Sequence, residues 1–215
     1  MKLAPYYQDD LVTLYHGDCL EHLDLLDQAD VMVTDPPYGI GYRSGSRRET
    51  LASSIHGDAS TAARDEILAA WAPRPAIAFG TWRIQRPAET RSRLIWDTKG
   101  ALGMGDLSIP WKPSDQEIYV IGHGFTGKRT TNVLRHAPVQ STARGGRTHP
   151  HEKPVQLLEE LIAKCPPGVV VDPFAGSGST LRAAKNLGRR AIGFEIEERY
   201  GEISARRLAQ EVLFA

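Results

Sequence analysis

Residues 169–210 alternate runs of strand length with runs of helical period, and that alternation most narrows the folds open to this chain. Val169–Val171 is short and apolar, Ser179–Leu187 is amphipathic, Ala191–Glu195 is apolar again, and Glu197–Gln210 returns to a helical pattern. Strands that read as unbroken apolar runs between helices belong to a parallel sheet covered on both faces. Leu11–Tyr15, Ala29–Thr34, Ala76–Gly80, Arg93–Trp96 and Ile118–Ile121 read as further strands. Helices are expected over Leu20–Leu26, Thr61–Trp71 and from about Lys153 to Lys164. A chain of 215 residues has room for one well-buried α/β domain over 1–215 and is short for two.

Between the first strand and helix of that repeat lies Asp172-Pro173-Phe174-Ala175-Gly176-Ser177-Gly178-Ser179-Thr180. Gly176 and Gly178 let the backbone pass close under a ligand that faces the amino end of the helix. A dinucleotide loop would need a third small residue where Leu181 stands, and a phosphate loop would need a lysine, so NAD and ATP fit poorly. Glu195, at the end of the next strand, is placed to accept hydrogen bonds from ribose hydroxyls. Together these describe a site for an adenosyl ligand without phosphates, and S-adenosylmethionine is the candidate.

A second strand ends just as abruptly. Val31-Met32-Val33-Thr34 runs into Asp35-Pro36-Pro37-Tyr38 at the strand end, where open α/β sheets bind ligands. Pro37 holds Pro36 extended and offers no N–H to compete for its carbonyl. The outcome is a stiff hook with two acceptors, the Asp35 carboxylate and the Pro36 carbonyl, beside the ring of Tyr38. Two acceptors and a ring suit a planar base carrying an NH₂ group, although Asp-Pro-Pro is also ordinary turn chemistry.

The formal charge is zero, which argues against a generally basic nucleic-acid coat and leaves room for a local basic face. Two loops concentrate positive charge: Gly39–Asp58, with Arg43, Arg47 and Arg48, and the stretch 122–148, with Lys128, Arg129, Arg135, Arg144 and Arg147. They read as surfaces that track DNA phosphates, the alternative being a solvated loop with a chance charge bias. Cys19 and Cys165 have no metal-type spacing. No apolar run is long enough to cross a bilayer, and Met1–Asp10 lacks a signal-peptide core, so a cytoplasmic protein is expected.

D-P-P-Y at 35–38, T-H-P-H-E-K-P at 148–154 and D-P-F-A-G-S-G-S-T at 172–180, with G-D-C at 17–19 and I-W-D at 95–97, resemble the amino-methylating DNA methyltransferases. The hook preceding the cofactor loop resembles the family's β group. The resemblance implies a class I methyltransferase-like (Rossmann-like) seven-stranded, mostly parallel sheet with helices on both faces, in circularly permuted motif order. It implies S-adenosylmethionine as cofactor, with S-adenosylhomocysteine as product, and methylation of adenine N6 in DNA. Asp35, Pro36, Pro37 and Tyr38 would be catalytic. Asp172 to Thr180 would line the cofactor pocket through Asp172, Pro173, Phe174, Gly176, Ser177, Gly178, Ser179 and Thr180. Glu195 would hold the ribose, Asp18 the adenine end, and His149 and Lys153 the methionine side, with Cys19 and Asp35 also among the cofactor-binding residues. His149 and His151 could instead be structural or bind metal weakly, but no third ligand has suitable spacing, so no metal is expected. An acid opening the hook favours adenine; cytosine N4, RNA bases and a silent cofactor- or DNA-binding domain are the alternatives. The substrate would be duplex DNA with its target base flipped out. With no separate recognition domain, loops 39–58 and 122–148 would read the site; a homodimer and a cognate restriction nuclease fit the resemblance as partners.

Overall fold

The structure, a computed structural model, describes residues 3–41, 57–100, 105–139 and 152–210. Its elements in chain order are β1 (Tyr7–Gln8), β2 (Val12–His16), α1 (Leu23–Leu26), β3 (Val31–Thr34), α2 (Ala62–Trp71), β4 (Ala76–Gly80), β5 (Thr90–Asp97) and β6 (Asp115–Ile121). Then come β7 (Val133–Arg135), α3 (Val155–Ile162), β8 (Val170–Asp172), α4 (Ser179–Asn186), β9 (Ala191–Glu195) and α5 (Glu198–Leu208).

All the strands join one sheet in the order β1-β2-β9-β8-β3-β4-β6-β5-β7. The expectation of seven strands is therefore corrected to nine among the described residues. The central seven make the expected sheet, and β1 and β7 add one short strand to each edge. Pairing is parallel from β2 through β9, β8 and β3 to β4, while β6 runs against both β4 and β5.

Burial explains why the central strands carry no polar face. Every residue of β3, β4, β8 and β9 is buried. Val31 and Val33 pack with side chains of α3, α4 and α5, whereas Met32 between them packs with Ile67 and Trp71 of α2 and with Leu26. Strand alternation thus feeds two separate cores, one on each face. Helix α4 lies close enough to β9 that a Cβ on Gly193 would come within 2.5 Å of the Leu181 side chain, which would have to shift to admit any larger residue.

The parallel strands β9, β8, β3 and β4 end at one edge of the sheet, and both motifs singled out above leave from it. β3 and β8 are direct neighbours, paired Val31 to Val170 and Met32 to Val171. Asp35 and the glycine loop are thereby brought together at adjacent strand tips.

Candidate active site

At the tip of β3 the Thr34 hydroxyl donates to Asp172 Oδ1 at 2.7 Å, tying the first residue before the hook to the last residue of β8. Asp172 is buried and also accepts from the Phe174 amide at 3.1 Å. Burial pushes its carboxyl up to about 6, against the opposing hydrogen bonds from Thr180 and Thr34.

Both oxygens of Asp35 have donors. The Tyr38 hydroxyl donates to Oδ1 at 2.6 Å, and the Lys153 ammonium forms an ion pair with Oδ2. Lys153 is only 4% exposed; its ammonium also lies 3.2 Å from the Tyr38 hydroxyl and 4.9 Å from the centre of the Phe79 ring. Burial lowers the Lys153 pKa, and the neighbouring charge of Asp35 opposes that shift. Burial first, then the charge of Asp35, raises Tyr38 well above its ordinary range, so the phenol keeps its proton and donates it. Beyond the hook, Asp58 accepts from the amides of Tyr38 at 2.7 Å and Gly39 at 2.9 Å. Among the described residues no hydrogen bond engages the Pro36 carbonyl.

Tyr38 and Lys153 take partners that the sequence does not announce. Tyr38 is buried, with its hydroxyl turned onto Asp35, so that it also acts as a strut for the carboxylate. Lys153, expected on the methionine side of the cofactor, lines the same cavity and pairs with the hook.

On the other side of the cleft, Gly176 and Gly178 adopt left-handed backbone with φ of 52° and 77°. Glu195 accepts from the Gly176 amide at 2.7 Å and from the Glu197 amide at 2.8 Å, one bond to each carboxylate oxygen. A second lone pair on each oxygen remains for a ligand hydroxyl. The carboxylate of Asp18 caps the turn at Cys19–Glu21 through the Leu20 amide at 2.9 Å. Burial pushes the Cys19 thiol up to about 12, so it is no nucleophile at neutral pH. Glu152 pairs with Arg207 of α5, which donates to Ser179 Oγ at 2.6 Å and fixes the segment before α3 against the glycine loop.

Burial raises the Glu195 carboxyl from 4.5 to about 7. The folded protein keeps this proton where the unfolded chain has lost it. The resulting contribution to stability is complete below the unfolded value and is lost as pH rises through the folded one. Glu195→Gln removes that dependence. Its stability relative to the natural chain should improve by about 3 kcal/mol between the acid and alkaline sides of the window. Denaturant melts at stepped pH measure this, and a constant offset at every pH would assign the titration elsewhere.

One cavity is lined by Asp18, Cys19, Asp35, Pro36, Pro37, Tyr38, Lys153, Asp172, Pro173, Phe174, Gly176, Ser177, Ser179, Thr180 and Glu195. Gly178 lies behind that wall, its Cα turned onto Ser204 of α5. Asp58 and Glu152 line the cavity too. Sequence reading missed both, together with Arg207, because each acts through a partner that only the fold supplies.

The expected DNA contacts divide. Arg43, Arg47, Arg48, Arg144, Arg147 and His149 lie outside the described residues. Arg135 ends β7 on the same sheet edge as the hook and pairs with Asp97 at 3.4 Å. Lys128 and Arg129 follow β6, which ends at the opposite edge beside the start of β4, and the Lys128 carbonyl accepts from Lys164 at the far end of α3. The structure does not bring these two to the cavity. Among the described residues no His, Cys, Asp and Glu cluster is arranged to hold a metal, and no helix is long and apolar enough to cross a membrane.

A profile of the N6/N4 methyltransferase family, described as DNA methylase, matches residues 95–206, about half of the chain. The type II methyltransferase M.ScaI of Streptomyces caespitosus is 28% identical, over 96% of this chain and 84% of its own length. A crystal structure of M1.HpyAVI in complex with SAM superposes with a TM-score of 0.70 at 22% identity, covering 93% of this chain and 100% of that one. The PvuII DNA methyltransferase, described as cytosine-N4-specific, gives 0.72 at 17% identity over 100% of this chain and 92% of its own.

Proposed function

This chain belongs to the DNA methylases that modify the N6 or N4 amino nitrogen of a base, and we propose that it methylates adenine N6 with S-adenosylmethionine as donor. The observation that carries the reading is the single cavity joining Asp35 to the glycine loop, with Thr34 bonded to Asp172 across the two strand tips. Asp35 supports adenine over cytosine, since the family's cytosine-N4 members more often open the hook with Ser or Thr.

The residues present fit this cofactor. Among the described residues, seven acidic side chains line the cavity (Asp18, Asp35, Asp58, Glu152, Asp172, Glu195 and Glu197) and Lys153 is the one basic side chain there. Asp35 is paired with Lys153, Glu152 is paired with Arg207, and burial raises Asp172 and Glu195. Such a lining repels phosphates and favours a cation. Glu195 would hold the ribose hydroxyls, Asp18 the adenine end, and Asp172 to Thr180 the floor. When bound, S-adenosylmethionine supplies a methyl group on a cationic sulfur.

The chain's own part is to make a poor nucleophile adequate. The lone pair of an exocyclic amino nitrogen is delocalised into its base. Hydrogen bonds from that NH₂ to Asp35 and to the Pro36 carbonyl draw electron density back onto nitrogen and fix its direction. Asp35 can accept because its carboxylate oxygens each hold one donor and keep further lone pairs. The proton released after bond formation passes to that carboxylate or to water, so Asp35 need not be a strong base.

Lys153 is a positioning residue in this scheme: it pairs with Asp35 and holds the carboxylate in one orientation. Lys153→Met should lower kcat about tenfold to a hundredfold, with Lys153→Arg restoring part of the loss. A kcat equal to that of the natural chain in Lys153→Met would reduce the residue to packing.

Mass spectrometry of nucleosides from unmethylated DNA incubated with the protein and isotope-labelled cofactor tests the function. Labelled N6-methyladenine is expected. Labelled N4-methylcytosine would move the chain to the other branch of its family, and label in RNA alone would end the DNA reading.

A further inference from the structure

Most large apolar side chains of this protein are packed away, but four stand well into solvent. Trp82 is 71% exposed, Leu107 78%, Ile109 51% and Trp111 76%, the four highest values for large apolar residues among those described. All four sit on the two connections that leave β4 and β5, and the topology puts both exits on the edge of the sheet that bears the hook. Thr34 of β3 pairs with Ala78 of β4, so the chain emerging at Thr81 and Trp82 does so beside Asp35–Tyr38, about 5 Å to one side. The strand β5 runs parallel to β4 because β6 opposes both, and the turn carrying Leu107 to Trp111 follows it a few strand spacings further along. That turn is closed: the Thr98 amide donates to the Ser114 carbonyl at 2.8 Å, and the Asp106 carboxylate takes the Ser108 amide at 2.8 Å.

Exposed tryptophans on an ordered turn are costly unless something covers them. The charge around them says what. The two connections, residues 81–89 and 98–114, carry Arg83, Arg86, Lys99 and Lys112 against Glu89 and Asp106; Arg86 is paired with Glu117 at 3.4 Å, and Asp106 is engaged within its own turn. The Arg83 guanidinium lies over the Trp82 ring at 5.6 Å. Aromatic faces rimmed by cations suit stacked bases between phosphates.

We propose that Trp82 and the Leu107–Trp111 turn are duplex-holding elements, packing against the bases that flank the extruded target. The proposal rests on the DNA reading above and adds a contact surface to it. It also relocates part of the expected interface, since Lys128 and Arg129 belong to the far edge. Trp82, next to the hook, is placed to fill the gap left in the stack. The turn steadies the duplex further along. A flat apolar contact of this kind contributes affinity without releasing counterions, whereas an arginine on a phosphate contributes both.

The test uses the full chain and a pool of unmethylated, random-sequence fluorescent duplexes, with affinity read by anisotropy across a salt series. Trp82→Ala and Trp111→Ala should each weaken duplex binding about tenfold, leave the slope of log K against log salt unchanged, and leave S-adenosylmethionine affinity intact. Trp82→Phe should stay close to the natural chain. Duplex affinity equal to that of the natural chain in both alanine variants would overturn the proposal. So would loss of a DNA-free dimer in sedimentation, which would assign the patch to a second copy. A natural chain that binds no S-adenosylmethionine and methylates no duplex would instead defeat the parent reading, and the same samples report it.

Discussion

Asp35→Ala should abolish methyl transfer, by about a thousandfold or more, while S-adenosylmethionine still binds. The carboxylate is the one ionised acceptor of the hook, and without it the Pro36 carbonyl alone must orient the amino group. The substitution also strands the Lys153 ammonium, buried between Phe79 and Tyr38, with its charge partner gone. Stability should therefore fall by about 1–3 kcal/mol, less than for a fully enclosed pair because Asp35 is itself 21% exposed and lysine can shed its proton. The double variant Asp35→Ala with Lys153→Met separates the two effects: stability returns and activity does not. Turnover in single-cycle assays and calorimetric titration of the cofactor measure both. Undiminished turnover would remove Asp35 from the chemistry.

Gly178→Val should cost about 3 kcal/mol or more of stability and remove most of the cofactor affinity. Two penalties coincide at this position. The backbone has φ of 77°, which a β-branched residue resists strongly, and a Cβ would meet Ser204 Oγ at 2.2 Å, its Cβ at 3.0 Å and its Cα at 3.3 Å. The last contact is backbone of α5, so the helix or the glycine loop must move. Gly178→Ala with Ser204→Gly relieves the side-chain clash and leaves the conformational penalty. This pair should regain part of the stability lost by Gly178→Ala alone. If melting curves show no such recovery, the loop yields rather than α5.

The periodic end of the chain was readable because its strands are buried on both faces and its helices are amphipathic. Ala76–Gly80 and Ala191–Glu195 stand where the apolar runs put them. The shared cleft followed from two motifs that each end a strand. Where reading failed, the deciding interaction was non-local. Val133–Arg135 has no strand pattern of its own and is a strand because β5 offers it an edge. The Tyr38 hydroxyl meets Lys153, 115 positions later, as well as Asp35, and nothing local to the hook announces that lysine. Lys128 and Arg129 shared an acid-free stretch with Arg135, yet the chain crosses from one sheet edge to the other between them. Asp58 bears no local signature, since a carboxylate that pins an amide looks in sequence like any surface acid, and Glu152, although inside the motif at 148–154, has its partner Arg207 55 positions later.

The order of the sheet has a consequence for how the molecule is made. Strand β2 pairs with β9 from Val12–Ala191 through His16–Glu195, and β8 closes the remaining side of β3. As the polypeptide leaves the ribosome, the flank holding β3, β4, β6, β5 and β7 has its own partners before β8 and β9 are made. The opposite flank does not: β2 emerges before β3 and waits for β9, which follows all the other described strands. A nascent chain halted before residue 170 would thus carry Asp35 on a half-covered strand with nowhere to seat a methyl donor, and the two halves of the catalyst mature together only once β8 and β9 have emerged.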